Sequence, residues 1–139
     1  VTERVNVKAW LLRANHIEGE VKGLLDAARE ERERVTNIVQ QFSWVGVQSS
    51  PDPHKFDRLA ELEALVEAKV AELQKVKAET IQAVMKVDSS LYREILVARY
   101  VRGLTMEQIA VQTHYSWRQT CRLHGRALLK MEEVLNGRS

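Results

Sequence analysis

The chain has 139 residues, a formal net charge of +2, 45% hydrophobic and 29% charged residues, which describes one or two small, charge-rich domains without room for a deep-pocketed enzyme. A single cysteine, Cys121, excludes an internal disulfide framework, and no apolar run approaches the ~20 residues of a membrane span. With no secretory apolar segment in VTERVNVKAW, the expected setting is the cytoplasm, without a membrane partner.

From residue 3 to residue 42 the apolar positions follow a heptad: Val7, Trp10, Ala14, Ile17, Val21, Leu24, Ala28, Glu31, Val35, Ile38 and Phe42, with Glu31 as the one polar member. Alternating steps of three and four place them on one stripe of a long helix, with the period of a coiled coil. Gly19 and Gly23 weaken that helix by about 1 kcal/mol each relative to alanine.

SWVGVQSSPDPH, residues 43–54, gathers glycine, serines and both prolines and predicts a loop. A second helix is predicted over 55–87, with Phe56, Leu59, Leu62, Val66, Val70, Leu73, Val76, Val84 and Val87 on its apolar stripe and Ile81 near the seam. Two long helices joined by one loop should fold back as an antiparallel hairpin, with arms of roughly 50–60 Å at 1.5 Å per residue. A turn near 48–50 would bring Glu31 opposite Lys69. Either the two pair and set the register, as polar seam residues can, or each faces solvent.

Beyond Val87 the charge balance changes. Residues 1–88 hold 13 Lys/Arg against 15 Asp/Glu, whereas residues 89–139 hold 8 against 4. A basic end on a near-neutral stem suits a nucleic-acid-binding head, although a segment of that charge also serves as a solvated surface. The predicted domains are accordingly a hairpin stem, 1–87, and a head, 88–139. Asp88 or a following serine caps a third helix over SLYREILVARYVRG, which ends near Gly103. Leu91, Ile95, Leu96 and Tyr100 recur on one of its faces.

Two Thr/Ser-x-x-Gln units come next, Thr105 to Gln108 and Ser116 to Gln119, each the pattern of a capping box. The first opens a helix of about eight residues with Ile109 and Ala110 inward. His114-Tyr115 makes a turn, and the second opens a longer helix running to about Leu135, before Asn136-Gly137. Short helix, tight turn and longer helix with an exposed polar start describe a helix-turn-helix. The fold class is therefore all-α: a long, coiled-coil-like antiparallel hairpin followed by a C-terminal helix-turn-helix.

Helical spacing sorts the last helix into two sides. Thr120, Leu123, Ala127 and Leu128 should pack inward, while Trp117, Arg118, Cys121, Arg122 and Gly125 share the other side, flanked by Gln119 and Arg126. The N-terminal residues of a recognition helix reach base edges, where arginine reads guanine and glutamine reads adenine. Trp117, Arg118, Gln119, Cys121 and Arg122 are therefore the base-contact candidates. Arg102, Thr105, Ser116, Arg126 and Lys130 are the phosphate-contact candidates. Arg118, Arg122 and Arg126, four apart, also fit a solvated helix face. Trp117 either touches a thymine methyl or the sugar-phosphate backbone, or covers the end of the core. Gly125 either leaves room for close approach or accommodates packing.

LYREILVARYVRGLTMEQIAVQTHYSWRQTCRLHGRALLKM resembles region 4 of bacterial primary sigma factors over about residues 88–133. The resemblance lies in the Arg93-Glu94-Ile95-Leu96 run before Arg99-Tyr100, the Leu104-Thr105-x-Glu107-Gln108-Ile109-Ala110 helix start, and Arg126-Ala127-Leu128-x-Lys130-Met131. The whole chain is similar to small phage and prophage proteins related to ArpU/RinA-type transcriptional regulators. Ala9, Leu12 and Ala14, the Ser/Pro loop, the long charged helix and above all YSWRQTCRLHGRAL carry that likeness. It implies a phage- or prophage-encoded DNA-binding regulator in the cytoplasm of a bacterial host, acting on late phage genes, with duplex DNA and possible host RNA polymerase as partners. Trp117 and Cys121 stand where sigma factors usually carry arginines, and no region 2 is recognisable, so a −35 sequence preference does not carry over.

Other chemistry has little to stand on. His16, His54, His114 and His124 are scattered, and Cys121 with His124 makes half a metal site at most. No phosphate loop, nucleophile elbow or carboxylate dyad is present, so neither an enzyme nor a cofactor is expected. Two other functions fit the pattern: a DNA-packaging subunit of the small-terminase kind, and an interaction module that binds RNA polymerase without autonomous DNA binding. The stem offers a surface for a homo-oligomer.

Overall fold

The computed structural model describes residues 4–45, 54 and 56–137, and every regular element among them is helical. In chain order these are α1 (Val7–Leu11), α2 (Arg13–Val45), α3 (Asp57–Val84), α4 (Ser90–Tyr100), α5 (Met106–Thr113) and α6 (Trp117–Leu135). Contacts group them into two compact units, residues 17–72 and residues 1–16 with 73–139. The division expected at 87/88 follows the chain. The contact grouping places the N-terminal end of α2 and the C-terminal end of α3 with the C-terminal segment.

The N-terminal heptad is interrupted once. Asn6 caps α1, its side chain accepting from the Ala9 amide at 3.1 Å, and Leu12 stands between α1 and α2. Arg13 holds this joint. Its Nε donates to the Trp10 carbonyl at 2.9 Å, its guanidinium lies 4.3 Å from the centre of the Trp10 ring, and Nη1 reaches Glu79 Oε2 at 3.4 Å.

In the unit formed by residues 17–72, Ile17, Val21, Ala28, Glu31 and Val35 of α2 are buried, as the heptad expects. Their counterparts Leu59, Leu62, Val66 and Val70 on α3 are only half-buried. Lys69 Nζ lies 3.0 Å from Glu20 Oε2, and Arg32 Nη2 lies 2.8 Å from Glu63 Oε1. Numbering rises on one helix as it falls on the other, so the two run antiparallel here. The same pairs overturn both alternatives for Glu31 and Lys69: the two do not pair, and Glu31 is buried and does not face solvent. Glu31 is engaged by Arg34, one turn along its own helix, and Lys69 by Glu20 and Glu72. The register is shifted, so Arg32 meets Glu63 rather than a residue near 67. Residues 43–45, expected in the loop, continue α2. Residues 46–53 of that expected loop lie outside the described residues, as does the side chain of Phe42.

The other unit has two joined cores. Leu11, Val84, Val87, Leu96, Tyr100, Ala127 and Met131 form one, with Val7, Trp10, Leu128 and Leu135 against it. Ile95, Ala98, Ile109 and Leu123 form the other, under Leu91, Leu104 and Met106. The apolar stripe of α3 continues into the first of these. Ile81 and Phe56 depart from the expected stripe and are exposed. Thr80, absent from it, is fully buried, with its hydroxyl donating to the Val76 carbonyl at 2.8 Å. That local bond satisfies the hydroxyl and makes threonine acceptable in an apolar setting.

Candidate nucleic-acid interface

The segment from Ser89 to Leu135 is punctuated by polar caps. Ser89, rather than Asp88, caps α4 through its side chain and the Tyr92 amide. Arg93 Nη1 donates to the carbonyls of Val87 and Asp88, at 2.6 and 3.0 Å, and so fixes the approach to α4. Gly103, with φ of 72°, ends the segment in the left-handed region that favours glycine. Arg99 Nη1 then donates to the Leu104 carbonyl at 3.0 Å, tying the α4–α5 connection to α4.

Thr105 and Gln108 form a complete capping box. The Thr105 hydroxyl accepts from the Gln108 amide at 3.2 Å, and the Thr105 amide donates to Gln108 Oε1 at 2.8 Å. Ser116 and Gln119 form only half of one: the Ser116 hydroxyl accepts from the Gln119 amide at 3.1 Å, with no return bond from the Gln119 side chain among the described residues. Between the two caps His114 adopts φ 63°, ψ 27°, a left-handed residue that closes α5. The Tyr115 amide donates back to the Ala110 carbonyl at 3.2 Å. Left-handed geometry costs a histidine more than a glycine, and the hydrogen bonds of the turn offset it.

Burial divides α6 cleanly. Thr120, Leu123, Ala127 and Met131 are buried, and Leu128 is half-buried. Trp117 is 55% exposed at the first position of α6. Arg118, Arg122, Gly125 and Arg126 are exposed. Gln119 and Cys121 are half-buried at the two borders of this surface. Arg118, Arg122 and Arg126 form no ion pair or side-chain hydrogen bond with any described residue. The sequence from Arg99 to Lys130 contains six Lys/Arg and one acid, Glu107. An exposed arginine row without local counter-charges leaves its field directed at solvent, where a polyanion can meet it.

The flanking candidates are more engaged. Arg102 Nη1 donates to Gln112 Oε1 at 2.8 Å, and Gln112 Nε2 donates to Glu94 at 3.3 Å, a relay between α4 and α5. Lys130 Nζ lies 3.9 Å from Glu133. The Thr105 and Ser116 hydroxyls serve as caps. The sequence reading missed the buried Tyr100 phenol bonded to His124, because a tyrosine in an apolar stripe gives no sign of its hydroxyl's partner. Among the described residues no three His, Cys, Asp or Glu side chains converge on one point, and no helix is long and apolar enough to cross a membrane.

Comparison with protein-family models, with curated proteins and with solved structures returns no match for this chain.

Proposed function

We propose that the chain binds duplex DNA sequence-specifically, with α5, the His114 turn and α6 acting as a helix-turn-helix. In this reading α6 enters the major groove and the protein serves transcription control in a phage or prophage, as the likeness to sigma region 4 and to ArpU/RinA-type regulators implies. The observation that carries the reading is the arginine row Arg118, Arg122 and Arg126. It is exposed, lacks local counter-charges, and begins at the capped N-terminus of a helix whose opposite side is buried.

Binding proceeds in two stages. Long-range attraction between the basic surface and the phosphates brings the helix to the groove and releases counterions. The first two turns then read base edges, Arg118 and Arg122 by paired donors to guanine, Gln119 to adenine, and Trp117 by apolar contact. Arg126 and Lys130, further along, contact phosphates and set orientation rather than sequence. One such module buries roughly 600–1,000 Å². A second contact, through self-association of residues 17–72 or through RNA polymerase, would raise the affinity by tethering.

Selection of randomised duplexes at near-physiological salt, followed by comparison of wild type with Arg122→Ala, tests the proposal. A recovered motif whose specificity relaxes at one position in the variant is the expected result. Weak binding with no motif defeats it and turns attention to a packaging ring or a polymerase-bound module.

A further inference from the structure

The middle of α6 contains a glycine that the fold does not explain. Gly125 is exposed, and a Cβ built on it would meet nothing within 4 Å. Its φ is not positive, so no left-handed turn requires it. A glycine inside a helix is a destabilising choice relative to alanine. Packing inside the chain is therefore not the reason for it.

Its position suggests another. Gly125 lies between Arg122 and Arg126 on the exposed side of α6, one helical turn before Leu129, which is 62% exposed. At 1.5 Å per residue it is about 12 Å along the axis from Trp117. The major groove is about 12 Å wide. A helix whose first turns reach base edges therefore brings its third turn to the groove wall, where the sugar-phosphate strand runs.

We propose that Gly125 is the point of closest approach between the α6 backbone and a DNA sugar-phosphate strand. This rests on the duplex-binding reading above. The missing side chain lets the helix backbone sit against the strand, so that Arg122, one turn earlier, reaches a base and Arg126, the next residue, reaches a phosphate. A methyl group there would hold the helix off and lengthen both contacts together. Gly19 and Gly23 provide an internal comparison, since they too sit inside a helix with open space around them, but on α2, in the other compact unit.

The test measures thermal midpoint and affinity for the selected duplex in wild type, Gly125→Ala, Gly125→Val and Gly19→Ala. Gly125→Ala should raise the midpoint by about 2–4 °C and weaken binding at least about fivefold, with Gly125→Val weaker again. Gly19→Ala should raise the midpoint and leave binding unchanged. Duplex binding by wild type that Gly125→Ala and Gly125→Val both retain at full strength overturns the close-approach role alone. A lowered midpoint in Gly125→Ala overturns the premise that no packing requires the glycine. Failure of wild type to bind any duplex overturns the functional reading and this inference with it.

Discussion

The Tyr100 hydroxyl lies 2.8 Å from His124 Nε2, with the two rings stacked at 5.7 Å, joining α4 to the side of α6 that faces away from the arginine row. Burial raises the phenol pKa, so the phenol remains a donor, and the neutral imidazole accepts. Burial, together with Arg99 and Lys8, lowers the His124 pKa below its ordinary 6.5. Protonation would oblige the phenol to become an acceptor and would add a third cation beside Arg99 and Lys8. A base whose folded-state pKa is lowered binds fewer protons folded than unfolded, so stability rises with pH across the window between the two values. The stabilisation is complete above about pH 6.5 and is lost as pH falls through the lower folded-state value. Thermal midpoints at pH 7.5 and 5.5 should therefore differ more in wild type than in His124→Gln. Equal differences would contradict this account. Glu31, whose pKa is lowered first by its bond to Arg34, acts in a separate window below its ordinary 4.5.

The two caps should not be equivalent. Thr105 satisfies one orphan amide with its hydroxyl and donates its own amide to Gln108 Oε1, while Ser116 makes the first bond only. Loss of a single cap costs about 1 kcal/mol. Thr105→Ala and Ser116→Ala should each destabilise by roughly that amount, and Gln108→Ala should add a penalty that Gln119→Ala does not. Chemical denaturation of the four variants measures this directly. Equal effects for the two glutamines would argue against the asymmetry.

Met131 is fully buried where α1, α3, α4 and α6 meet, against Leu11, Val84, Leu96 and Tyr100. Truncation removes packing that other side chains cannot readily refill. Met131→Ala should cost about 2–5 kcal/mol, whereas Leu129→Ala, at an exposed site on the same helix, should change stability by no more than about 0.5 kcal/mol. Urea titration separates the two. A small effect for Met131→Ala would show that this core can collapse around the void.

The register of α2 against α3 can be checked by double-mutant cycles. Arg32 and Glu63 meet at 2.8 Å, but both side chains are about half exposed or more. Their coupling should be about 0.2–1 kcal/mol and should shrink in high salt. Glu31 and Lys69, each paired elsewhere, should show no coupling. Measurable coupling in the second pair would require a different register.

Periodicity and punctuation in the sequence determine most of the local structure. The helical spacing from Ala14 to Ile38, the caps at Thr105 and Ser116, the helix end at Gly103 and the turn at His114 depend on bonds within one or two helical turns. Residue order alone specifies such bonds. The exposed side of α6 was legible for the same reason, since burial of Thr120, Leu123 and Ala127 leaves Arg118, Arg122 and Arg126 facing outward. Tertiary structure decided what depends on distant partners. It set the hairpin register, because several ion pairings suit the same two stripes. It brought Arg13, beside the interruption at Leu12, to Glu79. It buried Thr80, matched Tyr100 with His124, and gathered Leu11 and Val84 around α6. It also removed packing as the reason for Gly125, since the absence of a neighbour is a property of the folded surface and not of the residue.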